Sequence, residues 1–343
     1  FRLVIKKIMS PREKFLIISP SWIGDLIISQ SLLKYLKQEY IDCHIDIIVR
    51  PDLVDLAKMM PEVSNIYPLD IKHKSLGLSK RYRLANRIKI NSYSSSIILP
   101  SSFKSAIIPW LINIPIRIGY KKELRSFLLT KKYSLVKHKD NMSNRYLKLA
   151  DSSYTDSIRP SLTIEANILD IVRKKYQVSN SKKNIVLCPE AEYGKAKRWP
   201  TEKWIDLAKR FKERNHNVYL LGKNKSLEEE YEDILNLDSI VSLLGKTSLV
   251  EATYFLSSAD LAITNDSGLM HIAASVETNL ISIFGSSSPF YTPPLIKNEF
   301  GEVIYKGLEC SPCFKRECPL HHLDCLNDIS SKEIFEKSIK YLR

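Results

Sequence analysis

Several motifs common among nucleotide-binding α/β proteins are missing from this sequence. Only 10 glycines occur in 343 residues, and they form neither a Walker phosphate loop nor a Gly-x-Gly-x-x-Gly fingerprint. No Asp-x-Asp arrangement is suited to a divalent metal, because Asp42 and Asp46 stand too far apart. The sequence therefore favours metal-independent chemistry, and we expect no cofactor.

Long apolar runs are also missing. No stretch of about 20 residues is continuously apolar, so a transmembrane helix is not predicted. Residues 1–9 are amphipathic, but they lack the apolar centre of a secretory signal, and no small-residue cleavage site follows them. We interpret them as an irregular lead-in and expect a cytoplasmic protein.

Acidic residues are outnumbered by basic ones. The chain has 52 Lys and Arg against 38 Asp and Glu, a formal net charge of +14. This excess indicates an anionic partner, which composition leaves open between nucleic acid, a phospholipid surface and a phosphorylated substrate. A hydrophobic content of 44% is typical of globular proteins, and the length predicts two domains.

The order of predicted strands and helices indicates a parallel α/β fold. Short apolar runs such as residues 14–18 and 45–49 alternate with helical patterns, and the same rhythm restarts at residue 184. We predict two Rossmann-like, doubly wound domains, residues 1–165 and 166–343, with ligands bound in a cleft between them. Whether the last helix returns to the first domain is left open.

Three turns follow predicted strands and precede predicted helices, where the unpaired N–H groups of a helix start favour anions. The turn at residues 264–271 contains Asp266, Ser267 and Gly268, and His271 follows about one helical turn later. It suits a diphosphate, although Asp266 or Ser267 would serve equally well as an ordinary helix cap. His271 could likewise be a structural residue, and the residues alone leave these alternatives open.

In the first domain, Gly24 and Asp25 lie at the start of the helix that follows the first strand. An aspartate at this edge of the sheet faces the predicted cleft and could accept a proton from an attacking hydroxyl. The alternative is an acid favoured at this position by the helix dipole alone.

The third turn, residues 188–200, has three cations within four residues. Gly194 precedes them and frees the backbone, and a fixed lysine here would stabilise the charge that a leaving diphosphate gains. A solvated basic loop is the alternative. Trp199 argues against it, because a bulky aromatic residue would pin the loop to the core.

Residues 15–25, 117–125, 188–200, 264–271 and 285–294, taken in order, resemble glycosyltransferase family 9, the lipopolysaccharide heptosyltransferases. The resemblance implies a GT-B fold, which has two Rossmann-like domains with a deep cleft between them. It also implies metal-independent transfer of L-glycero-D-manno-heptose from ADP-heptose, with inversion of the anomeric centre. The family occurs in Gram-negative bacteria. Within it, the chain most resembles the enzymes that act on the first heptose of the Kdo–lipid A stem.

The resemblance further implies residue roles. Asp25 stands at the general-base position, and Lys197 stands at that of the phosphate-contacting lysine. The implied donor-binding residues are Gly194, Lys197, Asp266, Ser267, Gly268 and His271. Two departures occur: Ser267 stands where a Thr is often found and keeps the hydroxyl, and Glu190 stands where Gly is commoner.

A basic run at residues 117–148 contains ten Lys or Arg and two acids. In light of the resemblance, a cationic rim would attract both a phosphorylated heptosyl-Kdo-lipid A acceptor and the anionic inner face of the cytoplasmic membrane, to which we expect peripheral binding. The acceptor-binding candidates are Arg117, Lys121 and Arg125. Alternatively, any single lysine in this run could reflect a general enrichment in lysine and have no role in acceptor binding.

Four cysteines crowd the C-terminal region, and their spacing allows zinc or an iron–sulfur cluster but matches no common zinc finger. They are Cys310, Cys313, Cys318 and Cys325. Free thiols, a structural metal and disulfides all remain open.

Other functions compete with heptose transfer. A transferase of the same fold could use another nucleotide sugar or another heptose acceptor. A basic nucleic-acid-binding protein would need aromatic–basic stacking platforms or a recognised motif, and neither is evident, so nucleic acid is not an expected partner. An inactive transferase is disfavoured because Asp25, Lys197 and Asp266 are all present.

Overall fold

The computed structural model describes residues 13–71, 75–135, 141–154, 158–178 and 181–343. The lead-in of residues 1–9, residues 136–140 of the basic run and residues 179–180 lie outside these ranges.

The chain divides into two compact units, Phe1–Pro160 and Ser161–Arg343. The sequence predicts the boundary five residues later, after residue 165. The Leu162 N–H donates to the carbonyl oxygen of Ser275, and the helix at Ala166–Lys175 packs against the helix at Leu249–Ser257. The segment after residue 160 therefore belongs to the second unit.

The first unit is built on a six-stranded parallel sheet. Its strands are β1 Lys14–Ile18, β2 His44–Val49, β3 Asn65–Pro68, β4 Ser95–Ile98, β5 Ile116–Tyr120 and β6 Lys131–Tyr133. Its helices are α1 Ile23–Glu39, α2 Val54–Lys58, α3 Leu78–Ile88, α4 Ile107–Leu111 and α5 Met142–Ala150. Short 3₁₀ helices occupy Pro51–Leu53, Lys89–Asn91, Phe103–Ala106 and Arg125–Leu128.

The second unit repeats this architecture. Its strands are β7 Asn184–Cys188, β8 Asn217–Gly222, β9 Ile240–Leu244, β10 Leu261–Asn265, β11 Leu280–Phe284 and β12 Gly301–Tyr305. Its helices are α6 Ala166–Lys175, α7 Thr201–Glu213, α8 Glu232–Leu235, α9 Leu249–Ser257, α10 Gly268–Ser275, α11 Asp324–Asn327 and α12 Ser331–Ser338. Its 3₁₀ helices are Lys195–Lys197, Lys225–Tyr231 and Ile339–Tyr341.

The strand order fixes where each unit can bind a ligand. The sheets run β3-β2-β1-β4-β5-β6 and β12-β11-β10-β7-β8-β9, and every recorded pairing is parallel. Both have the doubly wound order in which the chain reverses direction between two central strands, and ligands bind beyond the carboxyl ends of those strands. These are β1 and β4 in the first unit, and β7 and β10 in the second.

Burial explains why the central strands form. Strands β7, β10 and β11 are buried at every residue, as their unbroken apolar character predicts for a sheet covered on both faces. Cys43 and Cys188 are buried, as expected of cysteines at or beside strands. The two-domain α/β prediction is confirmed. None of the helices in the described residues has the length and apolar character needed to cross a membrane.

The last helix stays in the second unit. Helix α12 packs on α7, where Ile334 is fully buried and the rings of Phe211 and Phe335 lie 5.2 Å apart. Its apolar face is covered by the core of its own unit, and a return to the first domain stays an untested prediction.

Candidate functional site

The strongest candidate site lies at the carboxyl ends of β7 and β10. Lys197 follows β7 and its Nζ lies 2.5 Å from Oδ2 of Asp266, which follows β10. The Ser287 hydroxyl, beyond the end of β11, donates to the same carboxylate oxygen. Asp266 is 5% exposed and the side chain of Lys197 is 16% exposed. The turns that the sequence singled out are thus joined by an ion pair at the point where the strand order reverses.

A buried amide holds these turns together. The Asn265 Oδ1 accepts the Trp199 N–H at 3.0 Å, and its Nδ2 donates to the carbonyl of Pro189 at 2.6 Å. The indole of Trp199 is buried, donates to the carbonyl of Ile329, and packs edge-to-face on Trp204 with ring centres 4.9 Å apart. The loop is therefore pinned to the core, as expected for Trp199, and it is not a solvated basic loop.

The start of α10 is open to an anion. Its N-cap residue Ser267 makes no capping hydrogen bond, so the side chain leaves the first N–H groups of the helix unsatisfied. Three hydroxyls here are buried without a hydrogen-bond partner in the described part of the chain, namely those of Thr264, Ser267 and Ser286. Buried polar atoms without partners are costly, and three of them lie in or beside this turn. Ser267 therefore occupies the N-cap position, but its hydroxyl does not cap the helix.

His271 is buried one turn into α10. Burial is the main cause that lowers the pKa of His271 from 6.5 to about 4, with Lys197 acting in the same direction and Asp266 opposing it. The imidazole is therefore neutral at pH 7 and adds no positive charge to the site. A neutral imidazole can still donate one hydrogen bond.

Gly194 allows two stretches of backbone to meet. A Cβ on Gly194 would lie 2.9 Å from the Cα of Arg316, closer than real contacts allow. The Ala196 N–H donates to the Arg316 carbonyl at 3.0 Å. The glycine thus serves a backbone contact within the protein.

Tyr193 is flanked by two cations. Its ring centre lies 5.0 Å from Nζ of Lys197 and 5.1 Å from Cζ of Arg316, both within cation–π range. The phenol donates to the carbonyl of Phe314 at 2.8 Å. Tyr193, Arg316 and Ser287 were not identified as site residues from the sequence, because their place depends on contacts between distant segments.

Glu190, one of the two residues that depart from the resemblance, has a local role. Its Oε2 accepts the N–H groups of Lys223 and Asn224, at 2.6 and 3.2 Å, just beyond the end of β8. A carboxylate that accepts two backbone donors stabilises a loop strongly.

In the first unit, Asp25 lies in the first turn of α1 and is half-buried. The preceding loop is held by Arg50, which donates to the carbonyl of Ser21 at 3.1 Å and pairs with Asp52.

A cavity of about 480 Å³ opens at the carboxyl edge of the first sheet. Its walls come from the segments that follow β1, β2, β3 and β4. They include the cations Arg50, Arg81 and Lys104, and the acids Asp52 and Asp70. Because Asp52 pairs with Arg50 and Asp70 pairs with Lys80, most of the acidic charge is already compensated.

Two of the three acceptor-binding candidates have their donors engaged within the protein. Arg125 is fully buried and donates to the carbonyls of Pro100, Ser102 and Tyr120 and to the Ser105 hydroxyl. Burial lowers the pKa of its guanidinium to about 10, which leaves it charged at neutral pH.

The motif around Arg125 serves this internal role. Gly119 makes room, since a Cβ there would lie 3.1 Å from the guanidinium. Arg117 donates to the carbonyls of Ile114 and Leu128 at 2.6 and 2.7 Å. Only Lys121, among the three candidates, presents an exposed side chain.

The four C-terminal cysteines are free thiols around a small cavity of about 20 Å³. Within the described ranges, no group of three or more His, Cys, Asp or Glu side chains has an arrangement that could hold a metal ion. Burial and the neighbouring thiols raise the pKa of Cys325 to about 11, so this thiol stays protonated. All four cysteines line this one cavity, and the free-thiol, metal and disulfide alternatives all stay open.

Comparisons with known proteins agree with this architecture. The model of glycosyltransferase family 9 (heptosyltransferase) matches residues 81–324. Lipopolysaccharide heptosyltransferase 2 of Salmonella typhimurium is 35% identical over 299 residues, which cover 82% of this chain and 85% of the relative. Lipooligosaccharide heptosyltransferase 2 of Haemophilus influenzae is 37% identical over 296 residues, which cover 82% and 85%. The solved structure of E. coli ADP-heptose lipopolysaccharide heptosyltransferase II has a TM-score of 0.83 at 30% identity and covers 96% of this chain and 98% of its own.

Buried His271 predicts an acid-sensitive fold. As the pH falls below 6.5 towards 4, the unfolded chain binds a proton that the folded His271 does not, so stability is lost in that window. Linkage gives a loss of about 1 to 2 kcal/mol between pH 7 and pH 5. Urea unfolding at both pH values should show a smaller loss in His271→Gln than in wild type. The exposed control His321→Gln should keep the wild-type loss, and equal losses in all three proteins would contradict the prediction.

Proposed function

The chain belongs to glycosyltransferase family 9, the heptosyltransferase family, and we propose that it transfers L-glycero-D-manno-heptose from ADP-heptose to the first heptose of the lipopolysaccharide inner core. The transfer inverts the anomeric centre and needs no metal. The observation that carries this proposal is the Lys197–Asp266 pair beside the uncapped start of α10. It offers a fixed cation and backbone donors to one diphosphate.

The donor diphosphate would be held by charge and by backbone N–H groups. Asp266 accepts a hydrogen bond from one of the three N–H groups of the Lys197 ammonium, and the ammonium can donate the other two to phosphate oxygens. A carboxylate repels a diphosphate, so Asp266 acts by orienting Lys197. Ser267 and the N–H groups that begin α10 supply further donors, and neutral His271 adds no charge.

Asp25 would act as the general base. It accepts the proton of the acceptor hydroxyl while the oxygen of that hydroxyl attacks the anomeric carbon of heptose. The bond between that carbon and the diphosphate oxygen breaks, and its electron pair leaves with ADP. Lys197 stabilises the charge that develops on the leaving diphosphate. Attack from the face opposite the leaving group inverts the configuration.

For the acceptor we favour the cavity at the edge of the first sheet. The charged residues of its wall, three cations and two acids, carry a net positive charge that suits the anionic groups of heptosyl-Kdo-lipid A. Exposed Lys121 follows β5, the strand that pairs with β4. Arg125 contributes indirectly, because it fixes the segment that bears Ser102 and Ser105, two residues of the cavity wall. A lipid-linked acceptor also implies peripheral binding on the cytoplasmic face of the inner membrane.

The proposed donor and acceptor are tested together by ADP release. We expect release from ADP-heptose with a heptosylated Kdo–lipid A acceptor, and none with the heptose-free acceptor. UDP-hexose or UDP-N-acetylhexosamine in place of ADP-heptose should give no transfer. Release on the heptose-free acceptor, or from a UDP-sugar, would identify a different transferase of the same family.

Asp25→Asn should abolish turnover without loss of donor binding. The amide keeps the size of the side chain but cannot accept the proton, so kcat should fall by about 10²- to 10⁴-fold. Calorimetric titration with ADP-heptose should give an affinity close to that of wild type. Asp55→Asn, which changes an exposed aspartate on α2 that is paired with Lys58, is the control and should keep full activity. Near-wild-type kcat in Asp25→Asn would remove the base assignment.

Lys197→Met should weaken donor binding and slow transfer together. Loss of a fixed cation at a leaving diphosphate typically costs about 10²- to 10³-fold in kcat. Lys197→Arg keeps the charge and should recover part of the loss, whereas exposed Lys195→Met two residues earlier should have little effect. If Lys195→Met and Lys197→Met lowered kcat equally, the specific role of Lys197 would be refuted. Thermal melts establish that each variant is folded.

A further inference from the structure

A short loop of the first unit exposes two large apolar side chains. Leu124 is 91% exposed and Phe127 is 68% exposed, and they flank the start of the 3₁₀ helix Arg125–Leu128. We call these two residues, with the adjacent exposed Lys121 and Lys122, the apolar tip. Neighbouring exposed apolar side chains commonly mark an interaction surface.

The backbone of the tip is held in an unusual conformation. Glu123 and Leu124 have φ values of 50° and 56°, in the left-handed region that residues other than glycine rarely adopt. Such a conformation persists where the surroundings enforce it. Here the Glu123 carboxylate accepts the Phe103 N–H at 2.8 Å, and buried Arg125 anchors the next position. The exposure of Leu124 is therefore fixed by the fold and does not reflect a loose loop.

The charge around the tip is predominantly positive. Between residues 100 and 135 the chain has seven Lys or Arg and a single acid, Glu123. Lys131 and Lys132 on β6 are exposed, like Lys121 and Lys122 in the tip. Apolar side chains surrounded by lysines match an anionic bilayer, where the apolar groups enter the headgroup region and the cations meet the phosphates.

The tip is bonded to the wall of the cavity. Arg125 donates to the carbonyls of Pro100 and Ser102 and to the hydroxyl of Ser105, and all three of these residues line the cavity. Phe103, in the same segment, lies with its ring centre 6.1 Å from that of Phe127. A surface that touches the tip is thus held next to the cavity.

Because the tip lies beside the cavity, we infer that the apolar tip docks the enzyme on an anionic phospholipid bilayer. The relevance of this docking to a lipid-linked acceptor rests on the proposed function. Leu124 and Phe127 enter the headgroup region, and Lys121 and Lys122 bind lipid phosphates. The acceptor then reaches the cavity from the membrane plane.

Vesicle binding tests the docking directly. The intact protein is floated with vesicles of phosphatidylcholine and phosphatidylglycerol at 70:30, and with pure phosphatidylcholine vesicles. We expect binding to the anionic vesicles that weakens as salt rises, because exposed charges are screened. Leu124→Ser and Phe127→Ser should each weaken the binding by about tenfold, and Lys121→Glu with Lys122→Glu should abolish it.

Matched controls keep this test specific. Ile90→Ser removes an equally exposed apolar residue, 85% exposed, near the amino-terminal edge of the same sheet. Lys209→Glu with Lys212→Glu reverses two charges on α7 of the other unit. Both controls should bind vesicles like wild type. Equal loss in tip and control variants, or no loss in the tip variants, would overturn the inference.

Transfer assays separate this inference from the proposed function. With a deacylated, water-soluble acceptor, Leu124→Ser and Phe127→Ser should keep wild-type kcat/KM, and with the vesicle-embedded acceptor they should lose about tenfold. A loss on both acceptors would overturn the docking role. If wild type transfers heptose to neither acceptor, the proposed function fails, while vesicle flotation still decides the docking.

Sedimentation equilibrium tests whether the tip is instead a protein interface. If wild type is a dimer and Leu124→Ser is a monomer, the tip belongs to a protein interface and the inference is overturned.

Discussion

The site of the second unit depends on the parallel pairing of β7 with β10. This pairing brings the ends of two strands, 76 residues apart in the register Ile185 to Leu261, to one edge of the sheet. Asn265, the last residue of β10, then bonds to both ends of the loop that carries Lys197. This buried amide fixes both ends of the loop, so Lys197 is held beside Asp266. The ion pair is therefore a consequence of strand order.

Much of this arrangement could be predicted from the sequence, because central parallel strands are continuous apolar runs. The turn that follows each run marks the carboxyl end of its strand. Strands such as β1, β7 and β10 were predictable for that reason. Strands β6 and β12 were not, because both are partly exposed and contain charged residues, and β6 has only 3 residues. Propensity carries little information for edge strands, whose formation is decided by a neighbour already in place.

In the candidate site, too, some residues could be predicted from the sequence and others could not. Lys197, Asp266 and Ser267 could be predicted, since their motifs lie at the ends of strands. Arg125 could not be interpreted correctly, because a buried arginine that binds carbonyls looks the same in sequence as one that faces a phosphate. The cysteine spacing is equally ambiguous, because spacing along the chain does not determine whether thiols that line one cavity bind a metal.

The contact between Gly194 and Arg316 has a consequence for the order of synthesis. The first unit contains all its own strands within the first 160 residues, so it can fold while the rest of the chain is still being translated. The candidate site of the second unit cannot, because Ala196 bonds to the Arg316 carbonyl and Trp199 bonds to the Ile329 carbonyl. A ribosome-bound chain that stops short of residue 329 would thus have a formed first-unit cavity, while the Lys197–Asp266 site still lacked two of its anchoring contacts.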